Sequence, residues 1–558
     1  MFNNKKSELW SNETTESNTK SNTKQPFVNA GLKDAAVTQS NNGAKKYKSH
    51  SNDFVTQFNS IGSYINPRSY DDIASDQSIL WAQDPLMCVK FSIYVRMISR
   101  KTAMINFNST QTFTEDVQRG GEMKHEGIMR MLWLHMNHPT VFWDNILLFI
   151  YAGSWKDIFT MLQYDLVHHG WEDRKLNWDN FKELILSGLE YESHVNLIKK
   201  YLPQIKAKSK CKTVEAQAKT IIGKWLANAL YGSNTNKTYA EYRKMKSSGT
   251  AHEWQQLISQ GKHNEVNFDS IHGKALKLLS RSKYFFNNDL YEKYGNWIES
   301  KSSTDVKYTG FVNELFNNLP YSLSDIDSNT QMTINKQFTS FVEKTKGEGE
   351  KNTKLIVVRD TSGSMNSSSI NSMSAGDVAK SLALYFAEFL EGEFKDSWIE
   401  FNRDAKMHRW KGSNVLEKWY NDKSNYIGNT NFQSVIDLFI DIKQTGVDEK
   451  DFPTGILCIS DGEFDPSELN KTNVESALQK LRFVGFSEEY VNNFVICLWD
   501  IPHYNSSSKF ETFDDVDNVF YMSGYSASIV QFLMEDIKNA SDLFDVAMDQ
   551  ELLNHVEV

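Results

Sequence analysis

The sequence has few cysteines and prolines and no long apolar run. Its 558 residues include four cysteines and nine prolines. Cys88, Cys211, Cys458 and Cys497 are scattered, which favours reduced thiols over disulfides or a zinc site. No run of about 18 apolar residues occurs, which argues against a transmembrane helix, and the first residues lack the apolar segment of a secretory signal. We therefore expect an intracellular, cytoplasmic protein that does not contact a membrane.

Enzymatic signatures are also missing from the sequence. It contains no Gly-x-x-x-x-Gly-Lys phosphate loop, no His-Glu-x-x-His zinc motif and no Gly-x-Ser-x-Gly nucleophile elbow. With no positive evidence for catalysis, we expect a protein that is not an enzyme.

A short string of oxygen-bearing side chains follows a strongly apolar segment. Residues 355–358 read Leu-Ile-Val-Val, typical of a buried strand, and Asp360, Ser362 and Ser364 follow at alternate positions. A strand that ends in such a loop presents several oxygens to one point. Mg²⁺ prefers oxygen ligands and keeps some of its waters, so the string predicts a site for a divalent cation.

Two further segments belong with this string. Thr430 lies in a turn before an apolar-periodic stretch, which places it near a helix N-terminus. Residues 456–460 form a second apolar run, and Asp461 and Gly462 follow it. Because a motif is confirmed by its structural context, three pieces on suitable elements are a stronger signal than the first string alone.

In order and separation, these pieces resemble the metal-ion-dependent adhesion site (MIDAS) of von Willebrand factor A (vWA) domains. The resemblance implies that Ser362, Ser364 and Thr430 offer hydroxyl oxygens, and that Asp360 and Asp461 hold the metal directly or through water. The cofactor would be Mg²⁺, or another divalent cation such as Mn²⁺ or Ca²⁺. One coordination position would stay open for a carboxylate of a partner protein.

The C-terminal third predicts a doubly wound, Rossmann-like parallel sheet. Further strands are expected at 397–401, 494–499 and 519–522, with helices at 376–391 and after the last strand, through residues 529–533. Short apolar strands that alternate with helices are typical of a parallel sheet covered on both faces. Ligands bind such sheets beyond the carboxyl ends of the strands, where Asp360 and Asp461 fall.

The length of the chain implies several domains. Residues 1–50 are rich in Asn, Ser, Thr and Lys, which predicts a disordered arm. Helical periodicity and short turns over 75–330 predict a HEAT-like α-solenoid. The vWA-like domain is expected at 350–545, and a C-terminal tail at 546–558. The predicted class is thus an α-helical region followed by an α/β domain.

The helical region carries a second resemblance. The segments 119–121, 151–157, 201–203 and 267–275 are similar to proteins grouped as domain-of-unknown-function family 2828, which pair a helical region with a vWA domain. That arrangement resembles the Ro autoantigen (TROVE) proteins, which are helical-repeat rings that bind RNA. The resemblance implies a Ro-like, RNA-binding or ribonucleoprotein role.

One part of this acidic chain is strongly basic. The formal net charge is −10, yet 199–224 contains eight lysines and a single acid, Glu215. The lysines are Lys199, Lys200, Lys206, Lys208, Lys210, Lys212, Lys219 and Lys224. Lysines bind phosphates without reading sequence, and neighbouring aromatics can stack on unpaired bases, so we name this cluster as the candidate RNA surface. The alternative is a solvated face whose aromatics pack the helical core.

Three functions remain open at this stage. The first is a Mg²⁺-binding scaffold of Ro-like design that binds RNA. The second is a protein–protein adaptor that captures an acidic residue of a partner through the metal. The third is an assembly factor that works with an ATPase on a separate chain. Neither the partner nor the oligomeric state follows from the sequence.

Overall fold

The chain folds into a helical region and a six-stranded, mostly parallel sheet with its own helices. We describe it from a computed structural model. The described residues are 37–40, 42–60, 68–98, 101–102, 117–118, 124–232, 235–248, 253–271, 273–280, 289–306, 308, 312–347, 354–367, 369–370, 373–424, 428–467, 471–483, 485–501, 510–512, 514–523 and 538–558. This arrangement agrees with the predicted order of a helical region before an α/β domain.

The helical region begins earlier than the sequence predicted and ends later. Its helices are α1 (Asp53–Ser60), α2 (Tyr70–Gln83), α3 (Pro85–Ile98), α4 (Lys124–Asn137), α5 (Pro139–Ala152), α6 (Trp155–His169), α7 (Trp178–Leu189), α8 (Glu192–Tyr201), α9 (Val214–Tyr231), α10 (Asn236–Ser248), α11 (Glu253–Ser259), α12 (Gly273–Ser280), α13 (Leu290–Ser300), α14 (Val312–Phe316) and α15 (Ser328–Gly347). Consecutive helices such as α3 and α4, or α4 and α5, pack against each other. A HEAT-like repeat within this region stays a prediction.

The segment 151–157 contains the turn between α5 and α6. Asp157 accepts a hydrogen bond from the Ser154 amide at 2.9 Å, which caps α6, and forms a buried ion pair with Arg96 of α3 at 2.7 Å. A Cβ on Gly153 would lie 2.2 Å from the Asp157 Oδ2 atom, so only glycine fits there. The segment 151–157 therefore needs a glycine at position 153 for close packing. Of the other segments that carry the resemblance, the Arg-Gly-Gly string at 119–121 lies outside the described residues.

Four short strands, each of two or three residues, precede the main sheet in the chain. They are β1 (Val37–Gln39) paired with β2 (Lys45–Tyr47), and β3 (Lys101–Thr102) paired with β4 (Val117–Gln118). Within the C-terminal part, β6 (Ser369–Ile370) and β7 (Met373–Ser374) form a further small pair.

The main sheet contains β5 (Leu355–Asp360), β8 (Ser397–Phe401), β9 (Ala405–Arg409), β10 (Gly455–Ser460), β11 (Val495–Asp500) and β12 (Val519–Ser523). Their order across the sheet is β12-β11-β10-β5-β8-β9. The pairs from β12 to β8 are parallel, as predicted, whereas the edge strand β9 pairs antiparallel with β8.

The parallel strands of this sheet are buried on both faces, which follows from their continuous apolar sequences, whereas the edge strand β9 is half-buried or exposed. Along β5, Ile356 and Val358 belong to one apolar core, and Leu355 and Val357 to the other. The surrounding helices are α16 (Ser364–Ser367), α17 (Ala375–Ala387), α18 (Val415–Asn421), α19 (Gln433–Gln444), α20 (Asn473–Phe483), α21 (Glu488–Asn493) and α22 (Ala540–Met548). The predicted helix through 529–533 lies outside the described residues.

Helices from both ends of the helical region pack against the sheet part. Near its start, the Phe54 ring lies 5.7 Å from the ring of Phe544 on α22. Near its end, the Phe316 ring stacks on Trp419 of α18 at 4.4 Å. The two parts therefore share apolar cores.

The predicted N-terminal arm does not extend to residue 50. β1 and β2 form a hairpin in which Lys46 and Tyr47 are buried, and the Tyr47 amide donates to the Phe510 carbonyl at 2.9 Å. Composition suggested disorder because this segment has little apolar surface, but its hydrogen bonds to the sheet part fix it. Residues 1–36 lie outside the described part of the chain.

The predicted C-terminal tail is also packed. Leu552 and Leu553 are buried, and the Asn145 side chain of α5 exchanges two hydrogen bonds with the backbone of Glu557, at 2.6 and 3.0 Å. All four cysteines are free thiols, and Cys88, Cys458 and Cys497 are buried. In the described part of the chain, no helix combines the length and apolarity needed to cross a membrane.

Candidate metal centre

Asp360 is the last residue of β5, and its carboxylate is held by two donors. The side chain is fully buried. Its Oδ1 accepts a hydrogen bond from the Ser362 amide at 2.7 Å, and its Oδ2 accepts one from the Ser460 hydroxyl at 2.6 Å. A carboxylate has about four lone-pair sites, so both oxygens retain capacity for a further interaction. The carboxylate is thus fixed in orientation without being saturated.

The two serines of the first motif come together beside this carboxylate. Ser362 is buried and Ser364 is half-buried, and their Oγ atoms lie 3.0 Å apart. The neighbouring Thr361 amide donates to the Phe401 carbonyl at 2.9 Å, which anchors the loop to β8. Alternation along the chain after β5 therefore brings two hydroxyls to one side, as the sequence predicted.

Asp461 and Thr430 reach the same edge of the sheet through neighbouring loops. Parallel pairing of β5 with β10 places Asp461, which follows β10, beside the end of β5. Asp461 is fully buried, and its Oδ1 accepts from the Glu463 amide at 3.3 Å. The Thr430 carbonyl accepts from the Asp465 amide at 2.8 Å, which ties its loop to the one that contains Asp461.

The two buried aspartates interact electrostatically. Burial, and after it the negative charge of Asp461, raise the pKa of Asp360 to about 7 from the usual 3.8. A nearby cation would favour the ionised carboxylate and so oppose this shift. Among the described residues, no group of three or more His, Cys, Asp or Glu side chains is arranged to bind a metal. A cation at this edge would therefore use hydroxyls in addition to carboxylates, and the donor set fits a hard ion such as Mg²⁺.

The N-terminal hairpin covers the loop that follows β10, which the sequence did not suggest. The Ser40 hydroxyl donates to the Phe464 carbonyl at 2.8 Å, and the Asn42 side chain donates to the Glu463 carbonyl at 2.6 Å. The Lys46 ammonium, which is buried, donates to the Gly462 carbonyl. A positive charge is thus placed one residue from Asp461.

Lys46 also acts on a buried glutamate nearby. Burial raises the pKa of Glu511 to about 7, and the charge of Lys46 opposes that shift. The Glu511 carboxyl accepts a hydrogen bond from the Asn473 amide at 2.8 Å. Lys46 therefore links the loop after β10 to a buried carboxyl group that lies far from it in the sequence.

Two polar residues of the site were not predicted from the sequence. Ser460 orients Asp360 and also accepts from the Gly462 amide at 2.9 Å. Asn402, which follows β8, donates from its side chain to the Thr361 hydroxyl at 3.1 Å. Ser460 ends the apolar strand β10 and Asn402 directly follows β8, so a polar residue at or just after the end of a strand was the signal that could have found them.

The lysines of the candidate RNA surface lie on an ordered part of the helical region. Lys200, Lys206, Lys210, Lys212, Lys219 and Lys224 are exposed, Lys199 is half-buried, and the side chain of Lys208 lies outside the described part. The segment between α8 and α9 packs closely on α9, because a Cβ on Gly223 would lie 2.9 Å from the Pro203 carbonyl oxygen. The Tyr242 hydroxyl donates to the same carbonyl at 2.9 Å.

The aromatic residues near these lysines divide into two groups. Tyr242 is buried in the core, and the Trp225 ring packs edge-on against Trp178 at 4.9 Å. Tyr231 is exposed, and Tyr239 is half-buried with the Lys224 ammonium 5.6 Å from its ring centre. The alternative that these aromatics pack the helical core therefore holds for Tyr242 and Trp225, while Tyr231 faces solvent.

The proteins to which this chain is similar include a mimivirus protein and a bacterial protein of solved structure. The chain is 24% identical over 347 residues to Uncharacterized protein L728 of Acanthamoeba polyphaga mimivirus, and the alignment covers 58% of this chain and 57% of that protein. The crystal structure of the Deinococcus radiodurans RO (RSR) protein aligns over 89% of this chain and 99% of that chain, at 10% identity. Its TM-score of 0.36 is too low to establish a shared fold.

A family model matches the C-terminal part of the chain. The resemblances to vWA domains, to family 2828 and to Ro proteins stay predictions. Residues 354–555, which contain the main sheet and the candidate metal centre, match the family model described as Domain of unknown function (DUF7788).

Proposed function

We propose that the protein is a non-enzymatic scaffold that holds a divalent cation at the edge of its sheet and binds RNA through its helical region. The observation that carries the cation site is the convergence of the Asp360 carboxylate with the hydroxyls of Ser362 and Ser364, which lie 3.0 Å apart. Asp461 would add a second carboxylate, and Thr430 a hydroxyl from the adjoining loop.

The chemistry of these donors favours Mg²⁺. This ion binds through one or two carboxylates and retains several waters, which matches two aspartates accompanied by neutral hydroxyls. When bound, the ion would offset the repulsion between the two buried carboxylates. The residues themselves orient the site, since Ser460 and the Ser362 amide fix the two oxygens of Asp360.

Titration calorimetry with MgCl₂ tests the cation site. We expect saturable binding to the wild type, and binding weakened about tenfold or more in Asp360→Asn, because one charged ligand is lost. Asp437→Asn is the matched control, since this exposed aspartate pairs with Lys480 at 2.7 Å, away from the site. Absence of saturable binding, or equal affinity in Asp360→Asn, would contradict the proposal.

RNA binding is the second part of this proposal, and the exposure of the lysine cluster favours it. Lys206, Lys210 and Lys212 are exposed around the turn before α9, with Lys219 and Lys224 further along that helix. The packing of Pro203 and Tyr242 holds this segment in place. Lysines on an ordered backbone would bind phosphates at a lower entropic cost than lysines on a mobile loop.

Binding to a pool of structured and single-stranded RNAs at several salt concentrations tests this function. Reversal of Lys206, Lys210 and Lys212 to Glu should weaken binding and reduce the salt slope by about 2, since each phosphate contact on single strands contributes about 0.7. The control reverses the exposed Lys344, Lys395 and Lys450.

The same assay in EDTA separates the two functions. If the lysines bind RNA directly, binding should persist after the cation is removed. Unchanged affinity and slope in the triple variant would exclude this surface, and it would leave the cation site as the functional centre.

A further inference from the structure

One face of the β8–β9 hairpin borders a cavity of about 390 Å³. Antiparallel register pairs Trp398 with His408 and Glu400 with Lys406, so these side chains share one face of the sheet edge. Asn421, the last residue of α18, and the three residues that follow it, through Ser424, also line the cavity. Ligand pockets in proteins usually have volumes of about 300–1,000 Å³, so this cavity suits a small organic molecule.

The charge of the cavity favours an anion. Lys406, Arg409, Lys411 and Lys423 line it. Both carboxylates of the lining already have partners: Glu400 lies 2.7 Å from the Nε2 atom of His408, and Asp422 pairs with the buried Arg359 at 2.7 Å. Lys380 lies a further 3.3 Å from Asp422. In a chain of net charge −10, this cavity is therefore a local positive site.

Planar rings form one wall of the cavity. Trp398 stacks between His408, at 4.8 Å, and Trp410, at 5.1 Å, with interplanar angles of 20° and 22°. Trp410 is 8% exposed, and its indole N–H is buried without an acceptor in the part of the chain that the structure describes. A buried donor without a partner costs free energy. This N–H has almost no exposed surface, so a ligand oxygen would satisfy it after a small movement of the Trp410 ring.

We infer that this cavity binds a nucleoside monophosphate. The cationic side chains would hold the phosphate, the Trp410 N–H would donate to a ligand oxygen, and the half-buried His408 ring would stack on the base. The same chemistry is offered by a free nucleotide and by the 5′-phosphorylated end of an RNA. The inference uses none of the metal ligands or the lysines of 199–224, so it stands apart from the proposed function.

Calorimetric titration of the full chain with AMP, adenosine and inorganic phosphate tests this inference. We expect saturable AMP binding that is tighter than the binding of either fragment. Arg409→Glu combined with Lys411→Glu should weaken it about tenfold or more, and Trp410→Phe, which keeps the ring and removes the donor, about tenfold. Lys344→Glu combined with Lys450→Glu is the control for charge, and we expect AMP affinity equal to the wild type.

Three results would overturn the inference: no saturable AMP binding to the wild type, unchanged affinity in both cavity variants, or inorganic phosphate that binds as tightly as AMP. Circular dichroism of each variant establishes that it is folded before titration. Competition with a short 5′-phosphorylated RNA then distinguishes the two possible ligands, a free nucleotide and the end of an RNA. Displacement of AMP would identify an RNA end as a ligand, and lack of displacement would identify the free nucleotide.

Discussion

The buried ion pair between Arg359 and Asp422 allows a quantitative prediction about stability. Arg359 is fully buried, its guanidinium lies 2.7 Å from the Asp422 carboxylate, and Lys380 is 3.3 Å from the same oxygen. The substitution Asp422→Asn would leave two cationic side chains in the interior without this carboxylate. Breaking a buried pair by removal of one partner costs about 3–5 kcal/mol, so we expect the free energy of unfolding at pH 7 to fall by that amount.

The pKa of Asp422 gives a second, smaller value for the free energy by which the ionised carboxylate stabilises the fold. Burial alone would raise it, but the charges of Arg359 and Lys380 prevail and lower it from 3.8 to about 2. That difference corresponds to about 2 kcal/mol. Because the folded-state pKa is depressed, the stabilisation is present above about pH 4 and is lost as the pH falls toward about 2. Protonation costs less than substitution because a protonated carboxyl keeps two oxygens, one of which accepts from the Ser424 hydroxyl at 2.7 Å, whereas Asn replaces one oxygen with an NH₂ donor.

Urea unfolding of the two proteins at pH 7, and of the wild type from pH 5 to pH 2, measures both effects. Asp437→Asn is the control, because Asp437 pairs with Lys480 at the same 2.7 Å but its side chain is 54% exposed. Exposed pairs contribute about 1 kcal/mol or less, so we expect little change in the control. If Asp422→Asn lies within about 1 kcal/mol of the wild type, the reasoning is refuted.

Three further substitutions test the packing described above. Gly153→Ala would place a methyl group 2.2 Å from the Asp157 carboxylate, so its thermal unfolding midpoint should fall clearly below that of the wild type. An unchanged midpoint would contradict the requirement for glycine. Tyr242→Phe removes the hydrogen bond to the Pro203 carbonyl, which should destabilise the helical region by about 1 kcal/mol and speed proteolysis of the lysine-rich segment that follows. Lys46→Met removes the ammonium that holds the loop after β10, so hydrogen exchange of the N-terminal hairpin should accelerate. Equal exchange in both proteins would show that this contact is not needed.

The sequence predicted the apolar strands well and the polar ones poorly. Strand β8 has the predicted bounds, β10 and β12 differ from their predicted bounds by one residue at one end, and β11 is shifted by one residue at both ends. These strands are buried on both faces, so their composition is continuous and distinctive. β9 was missed because Ala405–Arg409 is rich in polar and cationic residues, and an edge strand gains much of its stability from backbone pairing with its neighbour.

The candidate site could be predicted only as far as its local motifs. The alternate spacing of Asp360, Ser362 and Ser364 is local, and the structure brings these residues together. The contact of Lys46 with the Gly462 carbonyl joins residues 416 positions apart, and no local pattern encodes it. Composition also misled the reasoning about the N-terminus, because the hairpin is held by side-chain hydrogen bonds to backbone carbonyls more than by apolar burial.

The most direct test of the cation site is anomalous diffraction from crystals of the protein soaked in Mn²⁺. Mn²⁺ shares the preference of Mg²⁺ for oxygen ligands and produces an anomalous signal that locates the ion. The account predicts a peak at about 2.0–2.3 Å from oxygens of Ser362 and Ser364, with Asp360 bound directly or through water. A crystal in which Mn²⁺ binds elsewhere on the protein, and this loop shows no peak, would contradict the central claim.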